Sequence, residues 1–272
     1  MPEGDALARI AQVLRPLLVG QTIVAARGRP GGAHLERVVG RAVVDVDTRG
    51  KHLLIGFDNG LTLHTHLGLH GSWHRYRRGE AWRRSPARMV ALLETDEWVA
   101  ACFDAPMVEL LETRALAIHP SLGSLGSDTA TANFDIDAAL AALREERLAW
   151  MPVGDALLDQ SAVAGLGNVY RSELPFLERL NPLTPLADVS DDKLRAMLER
   201  GGRLVKLNSR GGARVTTMAG TPSDVYVYGR TGRPCLRCRT SIRSAVTRRT
   251  PDSPPRRVYW CPSCQPAQSA GN

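Results

Sequence analysis

Four cysteines near the end of the chain constrain its fold more than any other feature. They form two Cys-x-x-Cys pairs, Cys235/Cys238 and Cys261/Cys264, and 22 residues separate the pairs. Each pair predicts a turn that aims both sulfurs at one centre, and two such turns supply the four thiolates of a tetrahedral zinc site with Zn–S bonds of ~2.3 Å. Two disulfides are the alternative, which a reducing compartment disfavours. We therefore expect one structural Zn²⁺ ion, which would supply the folding energy that a segment with few large apolar residues lacks.

The composition indicates a globular protein. The 272 residues are 43% apolar and 23% charged, values that exclude a disordered tail, a collagen and a coiled coil and allow two domains. The sequence contains no apolar run of the ~18 residues that a membrane span requires. The first residues include two acidic side chains and no basic region ahead of an apolar stretch. We therefore expect no secretory signal, no membrane span and a cytoplasmic location.

The positive charge of the chain is concentrated in its last quarter. Residues 201–272 contain 13 Lys and Arg against two acidic residues, a net charge of +11, whereas residues 1–200 carry a net charge of −4. A basic segment on a neutral or acidic body favours a polyanionic partner, with nucleic acid as the first candidate. A basic face that only water and counterions solvate is the alternative that charge alone leaves open.

Short-range patterns predict a helix and then a β domain in the first half of the chain. Residues 5–19 have apolar residues at helical spacing, with Asp5 as the predicted N-cap. The pattern then changes to short β runs, of which 52–58 and 61–67 flank Asn59-Gly60, a strong hairpin signal. Cys102 lies in one of these apolar runs and is predicted to be a core residue. This half of the chain is expected to form a β-sandwich that carries a leading helix.

Helical patterns dominate the second half of the chain, at 135–150, 156–165, 169–180 and 192–207. The expected fold class is therefore α+β, with the N-terminal β-sandwich followed by a helical domain that ends in the four-cysteine zinc finger. A stretch rich in Gly, Ser and Thr separates the halves and is predicted to be a hinge linker. The predicted divisions are a β-sandwich domain at 1–118, the linker at 119–132, a helical domain at 133–224, a zinc-finger module at 225–265 and a tail at 266–272.

The first residues could carry specific chemistry. If Met1 is removed, the nitrogen of Pro2 becomes a secondary amine, and an α-amino group has a pKa of ~7.7–8 against ~10.4 for lysine, so that more of it than of a lysine side chain is unprotonated at neutral pH. A secondary amine that attacks a sugar C1′ gives an iminium directly, and the neighbouring Glu3 could move protons to and from the opening sugar. A proline near a terminus has no such role in most proteins, so this hypothesis needs further support from the sequence.

Three further motifs give that support, in a fixed order along the chain. MPEGD opens the sequence, RGKHLL occupies 49–54, LLDQSAVAGLGNVYRSELPF occupies 157–176, and YWCPSCQ closes the cysteine module at 259–265. Together they resemble the Fpg/Nei family of bifunctional DNA glycosylases, over nearly the whole chain. The loop at 208–224 is short and lacks the motif with which Fpg enzymes close over purines, so the resemblance is greater to the endonuclease VIII (Nei) branch. The linker departs from the family at 122–128, which reads Leu-Gly-Ser-Leu-Gly-Ser-Asp where relatives usually have an Arg and a Pro.

The resemblance implies catalytic roles for three residues of the first half. Pro2 matches the nucleophile that forms a Schiff base, and Glu3 matches the adjacent acid/base. Lys51 matches the lysine that opens a β-strand, binds phosphate and assists elimination; a solvated lysine at a strand end is the alternative. Leu69 resembles the wedge that fills the hole left by an everted base, although Gly68 and His70 replace bulkier polar residues of relatives.

The resemblance also implies DNA contacts in the second half. Residues 165–168, Gly-Leu-Gly-Asn, match the turn of a helix–two-turn–helix (H2TH) motif, in which Gly167 and Asn168 would bind a phosphate. A helix C-cap followed by a new helix is the alternative for these four residues. Arg256 matches the zinc-finger arginine that contacts the phosphates beside the lesion and takes part in the second elimination, and Arg257 is a competing candidate.

The resemblance therefore implies a DNA glycosylase and AP lyase of base excision repair. Such an enzyme removes oxidised bases through an N-terminal proline Schiff base and nicks the strand by β,δ-elimination. We expect oxidised pyrimidines as the favoured bases, damaged duplex DNA as the partner and a monomer in solution. Two alternatives remain at this point: a damaged-DNA-binding zinc-finger protein without catalysis on the same scaffold, and a zinc-ribbon protein that binds structured RNA.

Overall fold

The computed structural model describes residues 2–249 and 253–267. The chain divides into two compact units, Met1–Ser124 and Leu125–Asn272, and the division falls inside the segment 119–132 that was predicted as a linker. Met1 and most of the predicted tail, 268–272, lie outside the described residues. No helix among the described residues combines the length and the hydropathy that a membrane span requires.

The first unit is a β-sandwich with a leading helix, as the sequence predicts. The helix α1 spans Gly4–Leu18, and short 3₁₀ helices occur at Leu35–Val38, Pro86–Arg88 and Thr113–Ile118. The strands are β1 Ala25–Gly28, β2 Val43–Arg49, β3 His52–Phe57, β4 Leu61–His66, β5 Ser72–Arg77, β6 Met89–Glu94, β7 Trp98–Phe103 and β8 Met107–Glu112. They form two four-stranded antiparallel sheets with the strand orders β2-β3-β4-β8 and β1-β6-β7-β5.

The ends of α1 and of the β3–β4 hairpin follow from local chemistry. Gly60 has a φ of +74°, and the Asn59 carboxamide oxygen accepts the Leu61 N–H at 3.3 Å, so the Asn-Gly hairpin prediction is confirmed. The prediction that Asp5 caps α1 is wrong. The N-cap residue is Glu3, which has an extended backbone, and the helix begins at Gly4. The Glu3 carbonyl accepts the first helical N–H groups. Asp5 therefore lies inside the first turn, where it is fully buried.

Leu, Val and Ala form the core of the sandwich, because the chain has few aromatic residues. α1 contributes one apolar face to it, and the inward faces of both sheets contribute the rest: Leu7, Leu14, Leu18, Leu53, Ile55, Leu63, Ala91 and Leu93 are among the core residues. Cys102 is fully buried in this cluster, as the sequence predicts. Residues 52–57 and 61–66 are also covered on their other face, which carries His52, Leu54 and His64.

The second unit is helical and ends in a β-hairpin. Its helices are α2 Ile136–Leu143, α3 Glu146–Ala149, α4 Val153–Ala156, α5 Tyr170–Leu177 and α6 Asp191–Ser209, with a 3₁₀ turn at Leu186–Asp188. Two short parallel strands, β9 Ser127–Asp128 and β10 Val163–Ala164, pair beside the helices, and β11 Arg243–Thr247 pairs with β12 Arg256–Trp260. The predicted helix at 156–165 is wrong, because α4 ends at Ala156 and a turn leads into β10.

Candidate active site and DNA-binding residues

Pro2 and Glu3 lie at the start of α1. Pro2 is half-buried and Glu3 is 1% exposed. The Glu3 carbonyl accepts the N–H groups of Ala6 and Leu7, at 2.9 and 3.1 Å, which fixes the backbone of the residue that follows Pro2. A carboxylate is therefore held in a nearly water-free position directly beside the predicted nucleophile.

Lys51 lies in the tight turn between β2 and β3. Arg49 and His52 are paired across this turn, and Gly50 takes a left-handed φ of +56°. Lys51 is only 7% exposed, so it is not the solvated strand-end lysine that the sequence left as an alternative. It precedes β3 by one residue, where the sequence had placed it as the residue that opens the strand.

The directions of α1 and β2 bring Pro2, Glu3 and Lys51 to the same end of the first unit. Val19, just after α1, bridges Val43, whereas Arg15, one turn earlier, donates from Nε to the carbonyl of Val46 at 3.0 Å. Helix and strand therefore run in opposite directions. From Arg15 back to Gly4 the helix rises about 16 Å, and from Val46 forward to Arg49 the strand rises about 10 Å before the turn that contains Lys51. The start of α1 and the β2–β3 turn therefore lie towards the same end of the first unit.

Leu69 is exposed in the turn that follows β4. Because β4 runs antiparallel to β3 with His66 opposite His52, this turn lies at the same end of the sheet as Lys51. Leu69 is 61% exposed, so its side chain is accessible at this end of the sheet. Gly68 has a φ of +56°, and a Cβ there would meet Pro106 Cγ at 2.8 Å, so the bulkier residue of relatives does not fit this turn.

Three histidines, His52, His64 and His66, form a cluster on the covered face of the β2-β3-β4-β8 sheet, and the charge of Lys51 acts on two of them, His52 and His66. Burial lowers the pKa of His52 to about 3, with His66, His64, His119 and Lys51 as further causes. Burial also lowers the pKa of His64 and of His66, and the Lys51 charge contributes at His66. The imidazoles next to Lys51 are therefore neutral at pH 7. This cluster was not predicted, although three histidines within fifteen residues, two of them at alternate positions 64 and 66, were a visible signal in the sequence.

In the second unit, the Gly-Leu-Gly-Asn segment is a turn between β10 and α5. Gly165 has a left-handed φ of +92°, and Gly167 is buried with its carbonyl accepting the Arg171 N–H at 2.9 Å. A strand, not a helix, precedes the turn, so the helix C-cap alternative is wrong. Asn168 donates from Nδ2 to the Arg257 carbonyl at 3.2 Å.

That bond brings the turn and the β11–β12 hairpin together. Arg256 begins β12 opposite Thr247 and is half-buried, whereas Arg257 is exposed and donates from Nη1 to Ser244 Oγ at 3.0 Å. Gly167, Asn168 and both candidate arginines therefore lie on one side of the second unit.

A buried ion pair, which the sequence analysis missed, joins α5 to the hairpin. Arg171 is 1% exposed, pairs with Asp155 Oδ1 at 2.9 Å and donates from Nη2 to Thr247 Oγ1 at 2.7 Å. Thr247 in turn donates to Asp155 Oδ1 at 2.9 Å. Burial lowers the pKa of Arg171, and Asp155 opposes that shift. An arginine within the apolar pattern of 169–180 was the available signal for this network.

Two further buried polar side chains, Glu173 and Gln265, join the cysteine module to the helical part of the unit through hydrogen bonds. The fully buried Glu173 carboxylate accepts three consecutive backbone N–H groups, of Tyr226, Val227 and Tyr228, at 2.8 Å each, and the Thr216 hydroxyl. Gln265, also fully buried, accepts the Cys261 N–H at 2.9 Å and donates to the Leu180 carbonyl. Neither residue was singled out in the sequence, because a buried polar role has no local pattern.

The four cysteine sulfurs converge at the open end of the β11–β12 hairpin. All four lie within 4.8 Å of one another, with Sγ–Sγ distances of 3.9 Å between Cys235 and Cys264 and 3.4 Å between Cys238 and Cys261. A tetrahedron with ~2.3 Å metal–sulfur bonds has edges of about 3.8 Å. The cysteines are free thiols, so the disulfide alternative is wrong. Hydrogen bonds with Thr240 lower the pKa of Cys238 to about 6. The cluster can hold a metal ion.

Two models of known protein families match the chain, one in each of its two units. Residues 1–106 match the formamidopyrimidine-DNA glycosylase N-terminal domain, and residues 125–217 match the formamidopyrimidine-DNA glycosylase H2TH domain. The resemblance that was drawn from the motifs is therefore confirmed in both halves.

Curated relatives match over nearly their whole length. A Streptomyces coelicolor protein named "Probable endonuclease 8 2" is 37% identical over 97% of this chain and 94% of its own. The Mycolicibacterium smegmatis "DNA-(apurinic or apyrimidinic site) lyase Nei2" is 33% identical over 98% of this chain and 100% of its own. An Escherichia coli "Endonuclease 8" is 31% identical over 97% of this chain and 100% of its own.

Solved structures show the same fold at lower identity. Lactococcus lactis Fpg bound to DNA that contains Fapy-dG superposes with a TM-score of 0.81 at 21% identity, over 97% of this chain and 100% of that chain. A MutM complex with DNA that contains a carbocyclic 8-oxo-guanine gives a TM-score of 0.80 at 21% identity, over 97% and 99%. The full-length relatives and the two matching domains together establish that the chain belongs to the Fpg/Nei family of DNA glycosylases.

Proposed function

We propose that the chain is a bifunctional DNA glycosylase and AP lyase of base excision repair that acts on oxidised bases, pyrimidines first, with Pro2 as its nucleophile. The observation that carries this proposal is the position of Pro2, Glu3 and Lys51 at one end of the first unit, in a chain that belongs to this family. A cytoplasmic chain with access to chromosomal DNA fits this activity. A binding protein without catalysis would not need a carboxylate buried beside Pro2.

The first step is eversion of the damaged base. Extrusion from duplex DNA costs a few kcal/mol, and less for a damaged base that stacks poorly. Leu69 is exposed on a turn that two glycines hold tightly, since a Cβ at Gly68 or Gly71 would contact neighbouring atoms at 2.8 and 2.3 Å. The leucine enters the space that the base leaves, and no second bulky side chain at position 68 assists it.

The covalent step uses the nitrogen of Pro2. Its lone pair forms a bond to C1′ as the bond from C1′ to the base breaks, and the departing base takes up a proton. The Glu3 carboxylate takes up the proton that the nitrogen loses and delivers it to the ring oxygen, the sugar opens, and C1′ and the nitrogen form an iminium. The iminium makes the C2′ proton acidic, its loss expels the 3′ phosphate, and a second elimination expels the 5′ phosphate. Water then releases Pro2 from the C1′ product.

Lys51, Asn168 and Arg256 act on phosphates in this scheme. Lys51 is buried beside neutral histidines, so its ammonium is the dominant positive charge of that cluster. It stabilises the departing phosphate, whose negative charge grows as the C–O bond breaks. Asn168 and Arg256 lie near one another through the Asn168–Arg257 bond and bind the backbone beside the lesion without reading sequence.

We propose zinc as the metal of the four-cysteine cluster. A set of four thiolates at these separations suits Zn²⁺ and leaves no open position for substrate. Cys235, Cys238, Cys261 and Cys264 would therefore hold a structural ion that shapes the hairpin carrying Arg256. The ion supplies folding energy and takes no part in the covalent steps.

Borohydride trapping tests the proposal. Reduction of the iminium during a reaction with DNA that contains an oxidised pyrimidine should link the chain to the DNA, and Pro2→Ala should abolish the adduct while DNA binding persists. Pro16→Ala, which changes the other end of α1, serves as the matched control and should still form the adduct. Binding without any adduct in the unmodified protein would favour the non-catalytic alternative, and preference for RNA duplex in competition would favour the RNA-binding alternative.

A further inference from the structure

His64, Glu109 and His119 form a second group of metal-binding side chains, entirely within the first unit. His64 Nδ1 lies 3.0 Å from Glu109 Oε2, and His119 Nε2 lies 3.1 Å from the same oxygen. All three ligand atoms lie within 4.8 Å of one another. The cluster is distinct in sequence and in unit from the four cysteines, and the proposed reaction does not use it.

Regular secondary structure holds these side chains in place. His64 in β4 and Glu109 in β8 are directly opposite each other in the sheet register. His119 follows the 3₁₀ helix Thr113–Ile118, which begins immediately after β8. The His64 side chain is fully buried and that of His119 is 13% exposed, whereas the Glu109 side chain is 38% exposed. The two histidine ligands are therefore held in place by their surroundings, and the glutamate ligand is reached by solvent.

The geometry points to a divalent cation: we propose that His64 Nδ1, Glu109 and His119 Nε2 bind an ion of the Zn²⁺ class. Two imidazoles and one carboxylate suit zinc and its first-row neighbours. Ligand atoms at ~2.0–2.1 Å from a tetrahedral zinc lie about 3.3 Å apart. The two nitrogen–oxygen distances of 3.0 and 3.1 Å are close to that spacing, so small side-chain shifts suffice.

The second nitrogen of His64 has a hydrogen-bond partner of its own. It lies 2.8 Å from His52 Nδ1, so a neighbouring ring fixes the orientation of the imidazole. When an ion binds His64 Nδ1, the proton moves to His64 Nε2 and His52 Nδ1 can accept it, which is how a partner orients a metal-bound histidine. The ordinary surface pair His34–Glu36, at 2.9 Å, has no such partner among the described residues and no third ligand.

An ion that binds this cluster must replace the hydrogen bonds that its three side chains make. A carboxylate only accepts, so both His64 Nδ1 and His119 Nε2 donate their protons to Glu109, and His64 Nε2 then accepts from His52. Binding an ion removes those two protons from the ligand atoms. It reverses the His52–His64 bond, and it ends the 3.3 Å contact in which the Ser121 N–H donates to His119 Nδ1. We therefore expect weaker binding here than at the four thiolates.

Zinc titration of the full chain, already loaded at its cysteines, tests the proposal. Calorimetry should detect one further Zn²⁺ per chain, for a total of two by elemental analysis after gel filtration in micromolar zinc. Glu109→Gln and His119→Ala should each reduce the total to one, with melting curves that show an intact fold. His34→Ala should retain two.

Two results would overturn the proposal. One is an unmodified chain that takes up no second ion. The other is a second ion that persists in both Glu109→Gln and His119→Ala, or that disappears in His34→Ala, since either pattern places the ion elsewhere. Imidazole NMR signals give an independent reading, because the rings of His64 and His119 should shift on zinc addition while the ring of His34 should not.

Discussion

Replacing Glu173 by Gln should detach the cysteine module from α5. The carboxylate accepts four hydrogen bonds, from the N–H groups of Tyr226, Val227 and Tyr228 and from the Thr216 hydroxyl. A glutamine keeps one oxygen, and its NH₂ group faces at least one buried N–H. One lost bond to a charged acceptor contributes ~1.5–3 kcal/mol and an unsatisfied buried donor costs ~1–3 kcal/mol more, so the expected loss is about 3–5 kcal/mol.

Hydrogen exchange measures that loss where it occurs, because a chain of two units need not unfold in one step. The amides of residues 226–228 should exchange at least about 100-fold faster in Glu173→Gln, at 1.4 kcal/mol per tenfold change. Glu178→Gln at the end of the same helix is the matched control. Its bond with Arg200 Nε, at 2.5 Å, is partly exposed, so its loss should stay within ~1 kcal/mol. Equal protection of residues 226–228 in the two variants would refute the reasoning.

Three further changes test other parts of the account. Leu69→Ala should leave the melting temperature unchanged, because the side chain is 61% exposed. It should slow base excision about tenfold, which corresponds to a barrier change of ~1.4 kcal/mol. An unchanged excision rate would exclude the wedge role. Arg256→Ala should weaken DNA binding and reduce the salt slope by about 0.9, one phosphate contact, and the same loss in Arg257→Ala instead would transfer the role. Stability should fall as the pH drops below 6.5 towards 3, because the unfolded chain binds a proton at His52 that the folded chain, with a His52 pKa of about 3, does not. Integration gives about 2.5 kcal/mol lost from His52 between pH 7 and pH 4.5; a flat profile by denaturant titration, or the same fall in His52→Gln, would contradict that assignment.

Local signals predicted the elements whose ends are set by turn chemistry. The Asn59-Gly60 dipeptide predicted the β3–β4 hairpin to within one residue, because glycine adopts the φ of +74° that the turn requires without steric strain. The cysteine spacing predicted a four-sulfur cluster for a similar reason, since each pair is a local turn. Elements that depend on distant partners were less predictable. Residues 156–165 have a helical pattern, yet Val163 and Ala164 pair with β9, more than thirty residues earlier.

The candidate site residues could be predicted from the sequence, whereas the buried residues that hold the surrounding structure together could not. Pro2, Lys51 and Asn168 stand in motifs that a family resemblance exposes. Glu173 and Arg171 act through partners 16 to 76 residues away, so only the folded chain shows that they are buried and bonded. The histidine cluster combines both cases: alternation along β4 was visible, but the contact of His64 with Glu109 and His119 depends on β8 and on the segment that follows it.

Mapping the reduced adduct tests the central claim most directly. After borohydride reduction with lesion-bearing DNA, nuclease and protease digestion followed by mass spectrometry should place the remaining sugar fragment on the peptide that begins at Pro2, with Met1 absent. A fragment attached to Lys51, or strand cleavage at full rate by a chain that retains Met1, would contradict the account.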